Sequence, residues 1–105
     1  MTYKNLICKC SELLIVVTIY AGFVTTLEAA NPVTGQGLFM QHCNSCHEPG
    51  NPVAGSPDFS DINSMIQPDI VLLKKIQIGQ GAMPAYDGIL SAKEIMDVIA
   101  YMRTL

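Results

Sequence analysis

The chain has 105 residues, of which 50% are hydrophobic and only 14% charged, with a net charge of -3. Its 6 Lys and Arg form no basic stripe and stand beside no aromatic platform, which argues against nucleic acid as a partner. The length allows one small domain, and no apolar run reaches the ~18 to 20 residues of an ordinary membrane-spanning helix.

Lys4 and Lys9, the apolar block from Leu13 to Val24, and the small residues Ala29 and Ala30 make the three parts of a secretory signal peptide. Cleavage after Ala29 is expected, giving a signal segment of 1–29 and a domain of 30–105, although Leu27 stands where a small residue is usual. An uncleaved anchor is the competing reading, opposed by the shortness of the apolar block. Cys8 and Cys10 precede that block and are discarded with it. The remaining domain carries Lys74, Lys75, Lys93 and Arg103 against Glu48, Asp58, Asp61, Asp69, Asp87, Glu94 and Asp97, so it is acidic. A chain this short buries only about 60% of its unfolded surface and needs a staple. Cys43 and Cys46 are placed to supply one.

Along the domain, Thr34 is expected to cap a first helix over 35–42, with Leu38 and Met40 helping to bury one side. The breakers in 48–57 make a loop, and a short helical turn is expected over 61–65. Pro68 suits the first position of a middle helix that Gly79 ends, with Ile70, Leu73 and Ile76 or Gln77 on one face. The Gly-rich stretch 79–88 is a loop that presents Met83. Ser91 and Glu94 have capping-box spacing for a last helix whose buried face is Ile95, Val98, Ile99 and Met102. No stretch shows sustained alternation, so an all-α domain is expected.

Cys43-Asn44-Ser45-Cys46-His47 is C-x-x-C-H, the spacing that gives two thiols for thioether bonds to one haem and an imidazole beneath its iron. A thioredoxin-like disulfide would need a βαβ pattern that is absent. Zinc would need further ligands, and His42 is the only other histidine. A plain structural disulfide would leave His47 and the Met83-Pro84 loop unexplained.

Gly35-x-x-x-Phe39-x-x-x-Cys43, the C-x-x-C-H motif, Gly81-Ala82-Met83-Pro84-Ala85-Tyr86 and Ile99-Ala100-Tyr101-Met102 occur in that order, and the domain thereby resembles a class I monohaem cytochrome c. The resemblance implies a small cytochrome c fold, three to four helices around one covalent haem c held through Cys43 and Cys46. It implies His47 and Met83 as axial ligands, a soft thioether favouring ferrous iron. Met65 is the competing thioether, read as packing of the haem pocket. A proline carbonyl is expected on the second nitrogen of His47, with Pro57 the candidate and Pro52 its alternative. His42 is expected to face solvent, and Phe39 and Tyr101 to pack core and cofactor alike.

The function implied is electron transfer through a His/Met-ligated haem in a bacterial periplasm, with no enzyme activity. A haem-bearing subunit of a larger oxidoreductase is second, and a ligand-binding haem enzyme or sensor third. Asp87 is read as turn chemistry before Gly88, not as a catalytic acid. The acidic balance implies redox partners with a neutral or basic docking patch, and the resemblance implies a periplasmic quinoprotein dehydrogenase, a nitrite reductase or a terminal oxidase as candidates.

Overall fold

The computed structural model describes residues 28–105, so the expected signal segment, with Cys8 and Cys10, lies outside the described residues except for its last two positions. Four helices follow in order, Pro32–His42 (α1), Asn44–His47 (α2), Asp69–Ile78 (α3) and Ala92–Met102 (α4), with a 3-10 turn at Ile62–Met65. Among the described residues no strand forms, only isolated bridges between Gln80 and Met83 and between Asp87 and Leu90. The all-α expectation agrees with this architecture.

α1 begins earlier than expected, and Asn31 rather than Thr34 caps it: its side-chain oxygen accepts from the N–H groups of Val33 and Thr34 at 2.9 and 3.3 Å. Pro32 then opens the helix with its φ already fixed and no N–H to leave unpaired. At α4 the capping box forms as read, the Ser91 hydroxyl accepting from the Glu94 N–H and the Glu94 carboxylate from the Ser91 N–H. These bonds hold the Glu94 carboxyl below its ordinary value. Ile95, Val98, Ile99 and Met102 are buried, as the helical period required.

α3 departs from expectation in two respects. Pro68 is its N-cap instead of its first helical residue, and Ile70 is 60% exposed while Leu72 is buried, with Leu73 and Ile76 packed against the core. The apolar run Ile70 to Leu73 contains two overlapping stripes at helical spacing. Period alone does not choose between them, and the position of α4 does. In α1, Met40 is likewise 51% exposed, and the fully buried side chain is Phe39.

α1 and α4 cross with no space for a side chain between them. A Cβ on Gly35 would lie 1.9 Å from the Asp97 carbonyl oxygen and 2.8 Å from the Val98 nitrogen. One turn further on, the Phe39 ring meets Tyr101 edge to face, centroids 5.3 Å apart, and Phe59 at 6.3 Å. Asp97 closes the same crossing at its N-terminal side. Its carboxylate, only 2% exposed, accepts from the Asn31 N–H at 2.7 Å and from Lys93 Nζ at 2.8 Å. Burial pulls the Asp97 carboxyl upward, but the Asn31 N–H and the Lys93 ammonium outweigh it and hold the carboxyl below its ordinary range.

Beyond α4, Arg103 reaches back to the segment before α3. Its guanidinium donates to the carbonyls of Met65 and Gln67 and to the Asp69 carboxylate. A planar fork of donors suits this cluster in a way that an ammonium does not.

Two measurements check these contacts. Gly35→Ala is expected to lose about 3 kcal/mol in denaturant unfolding because backbone, not a flexible side chain, blocks the new methyl. Gly37→Ala, on the open side of the same helix, should gain about 0.5 to 1 kcal/mol. The second measurement concerns acid. The Asp97 carboxyl titrates below its ordinary 3.8 when folded, so its contribution is complete above that value and is lost as pH falls through the folded one. Asp97→Asn should therefore flatten the fall in urea stability between about pH 5 and pH 2; an acid slope equal to that of the native chain would refute this assignment.

Candidate functional site

Cys43 is where α1 stops and α2 starts. Its N–H donates to the Phe39 carbonyl at 2.8 Å, and its own carbonyl accepts from the N–H groups of Cys46 and His47 at 3.1 and 2.9 Å. α2 is therefore one turn of helix carrying Cys46 and His47, with Cys43 as its cap. Neither cysteine is in a disulfide, and Cys43 is half-buried and Cys46 exposed. Burial pushes the Cys43 thiol up to about 11.

His47 turns inward and is 7% exposed. Its Nδ1 lies 3.0 Å from the Pro57 carbonyl oxygen. A carbonyl can only accept, so Nδ1 carries the proton and Nε2 keeps its lone pair for a metal. Pro57, and not Pro52, is thus the proline that orients the ring. Phe59 stacks on the imidazole, centroids 4.7 Å apart and planes 26° from parallel. Sequence reasoning gave Phe59 no role; its signal was an aromatic two residues beyond the orienting carbonyl. Asp58 between them fixes the loop. Its carboxylate accepts from the Ser60 hydroxyl and N–H at 2.7 and 2.9 Å and from the Gly50 N–H at 3.1 Å. The Ser60 hydroxyl, then the Gly50 and Ser60 N–H groups, lower its pKa.

Met83 is half-buried on the loop between α3 and α4. The Gln80 N–H donates to the Met83 carbonyl at 3.1 Å and the Met83 N–H to the Gln80 carbonyl at 3.0 Å. This closed turn rests on Gly79, whose φ is 75° and where a Cβ would lie 2.6 Å from the Met83 carbonyl and 2.8 Å from the Ala85 nitrogen. No residue with a side chain fits there. Met65 is 7% exposed in the core cluster that also holds Leu72 and Leu90, in keeping with a packing role. Asp87 bridges to Leu90 around Gly88, a turn as read.

Tyr86 ties the Met83 loop to α1. Its hydroxyl donates to the His42 carbonyl at 2.8 Å, and its N–H donates to the Ile76 carbonyl at 3.1 Å. Burial first, and then the neighbouring Cys43 and Cys46 side chains, raise the Tyr86 phenol. His42 is half-buried rather than solvent-facing, because the Tyr86 ring approaches it edge-on with centroids 6.0 Å apart. A separate open cleft of about 540 Å³, lined by Lys74, Gln77, Ile78, Ala85 and Asp87, contains none of the candidate ligand residues.

The donor set suits haem. Two thiols flank one turn beside an imidazole with a free Nε2, and the surrounding residues Phe39, Phe59, Met65, Leu72 and Leu90 are apolar. The family model described as cytochrome C oxidase, cbb3-type, subunit III matches residues 30–102. The chain belongs to this family. It is a c-type cytochrome, an electron-transfer protein with covalently bound haem c. It is similar to a cytochrome c-551 of Halorhodospira halophila, 38% identical over 66 residues, covering 57% of this chain and 78% of that one. It is also similar to a cytochrome c6 of Gloeothece citriformis, 30% identical over 84 residues and covering 76% of each chain. The solved cytochrome c6 of the diatom Phaeodactylum tricornutum superposes with a TM-score of 0.63 at 26% identity, covering 71% of this cytochrome and 93% of that one. Among the described residues no helix is long and apolar enough to cross a membrane.

The close fit at Gly79 is testable by native-state hydrogen exchange. Gly79→Ala should strip protection from the Gln80 and Met83 amides, whose bonds close the turn, while α4 amides such as Ile99 keep theirs.

Proposed function

We propose that this cytochrome is a single-electron carrier whose iron is held by His47 and Met83 in both oxidation states, with Cys43 and Cys46 forming the two thioether links. The observation that carries the reading is the His47 Nδ1 bond to the Pro57 carbonyl, which leaves Nε2 as the metal-facing nitrogen. Bound haem supplies an iron that alternates between ferrous and ferric. The protein's own residues do the rest. Pro57 fixes the imidazole and raises its basicity, and Phe59 packs its face. Gly79 and the Gln80 bonds present Met83 on a constrained loop, while Met65 stays in the core on its 3-10 turn. A thioether and an imidazole together would give the haem a higher potential than two imidazoles. With both positions taken, little rearrangement accompanies transfer, and no acid–base set beside the site points to an enzyme.

Residues 30–105 are the working domain in this reading, released into a bacterial periplasm by cleavage after Ala29. Among the described residues Asn31 is the first to hydrogen-bond to the core at long range, with only an exposed Glu28–Lys93 ion pair at 3.7 Å ahead of it, which supports a boundary nearby. The acidic balance, with Asp87 exposed near the Met83 loop, favours redox partners that present a neutral or basic patch. A subunit bound to a larger oxidoreductase is the second reading, favoured by the description of the matching family model.

The test is a visible spectrum of protein matured in a periplasm with haem attachment, with and without carbon monoxide. The expected result is a covalent low-spin haem that ignores carbon monoxide, with Met83→Ala binding it readily and Met65→Leu behaving as the native protein does. Rapid binding by the native protein would replace the carrier with a ligand-binding haem protein. Elution with membrane complexes rather than as a free small protein would favour the subunit.

A further inference from the structure

The Met83 loop touches α1 through a single side-chain hydrogen bond. The Tyr86 hydroxyl donates to the His42 carbonyl at 2.8 Å across a sequence separation of 44 residues. His42 is the last residue of α1, and its carbonyl belongs to the set that a helix end leaves without an internal partner. The Cys46 and His47 N–H groups both turn to Cys43 instead. The bond therefore satisfies a helix terminus from the opposite loop. It starts three residues after Met83 and ends one residue before Cys43, so it spans from one candidate ligand loop to the other.

We infer that Tyr86 is a positioning residue for Met83: its hydroxyl latches the methionine loop to the helix end that leads into the haem-binding turn, and the loop opens only when this latch is released. The inference rests on Met83 as the sixth ligand. The other bonds of the segment are backbone bonds to α3 and within the loop itself, at Ile76, Gln77 and Gln80. They hold the loop to α3, and Tyr86 alone gives it a polar hold on α1. The T-shaped contact with the His42 ring sets the phenol's direction, and Tyr86→Phe keeps that contact while removing the donor.

An external ligand such as imidazole reaches ferric iron only in the fraction of molecules whose Met83 has left, so its apparent affinity reports that fraction. Losing one hydrogen bond of this kind shifts a local equilibrium by about fivefold. The holoprotein with Tyr86→Phe should therefore bind imidazole about fivefold more tightly than native protein. Asn31→Ala, which weakens the α1 N-cap at the end of that helix away from His42, lowers unfolding stability to a similar degree and should leave imidazole affinity unchanged. In the Met83→Ala background, Tyr86→Phe should add nothing, because the latch then has no ligand to hold.

Unchanged affinity in Tyr86→Phe, an equal rise in Asn31→Ala, or a full Tyr86→Phe effect without Met83 would each overturn the latch. Failure of the underlying reading has a different signature. Native protein would then show no red ferric band from a thioether ligand, and Met83→Ala would bind imidazole as native protein does.

Discussion

The structure turns on a place where no side chain fits. Gly35 brings α1 onto the backbone of α4, and a single methyl there would run into the Asp97 carbonyl. Because the backbones touch, Phe39 enters the core one turn later and finds Tyr101 edge-on. The end of α1 then arrives at Cys43 in a fixed direction. Asp97 adds the polar half of the same junction by accepting from the Asn31 N–H just ahead of α1. Helix direction, aromatic packing and the position of the C-x-x-C-H turn thus share one cause.

Apart from α3 and one 3-10 turn, much of the rest of the domain is loop, and its loops are ordered by side chains that attend to main-chain groups. His47 donates to the Pro57 carbonyl, Tyr86 to that of His42, and Arg103 to those of Met65 and Gln67. Asp58 does the converse, accepting from the Gly50 N–H. A chain of this size cannot cover every backbone group with regular structure, and an unpaired buried one is costly. Among the described residues, no buried side-chain nitrogen or oxygen is left without a partner. The same economy brings the C-x-x-C-H turn and the Met83 loop together without a sheet.

Much of this was legible in the residues. The capping box at Ser91 and Glu94 and the buried face of α4 follow from local rules and from spacing. Pro57 was the preferred partner for His47, and the geometry places it there. The start of α1 was misread because Thr34 offers a capping hydroxyl while the pair Asn31-Pro32 combines a cap with a preset φ. The face of α3 was misread because its apolar run supports two stripes, and only the third dimension selects between them. Phe59, Arg103 and the Tyr86 hydroxyl act on residues distant in sequence, where no period or motif points.

The Asn31 to Asp97 bond joins positions 66 residues apart, and this separation bears on how the domain forms. Its central packing surface is made by the first and last long helices, so nearly the whole domain must be looped back before that surface exists. Closing a long loop costs entropy in advance of any contact that repays it, which slows a fold of high contact order relative to a bundle of sequential hairpins. On a ribosome α1 emerges well before α4 and has nothing to cross until that helix has been made, so the central packing waits for both.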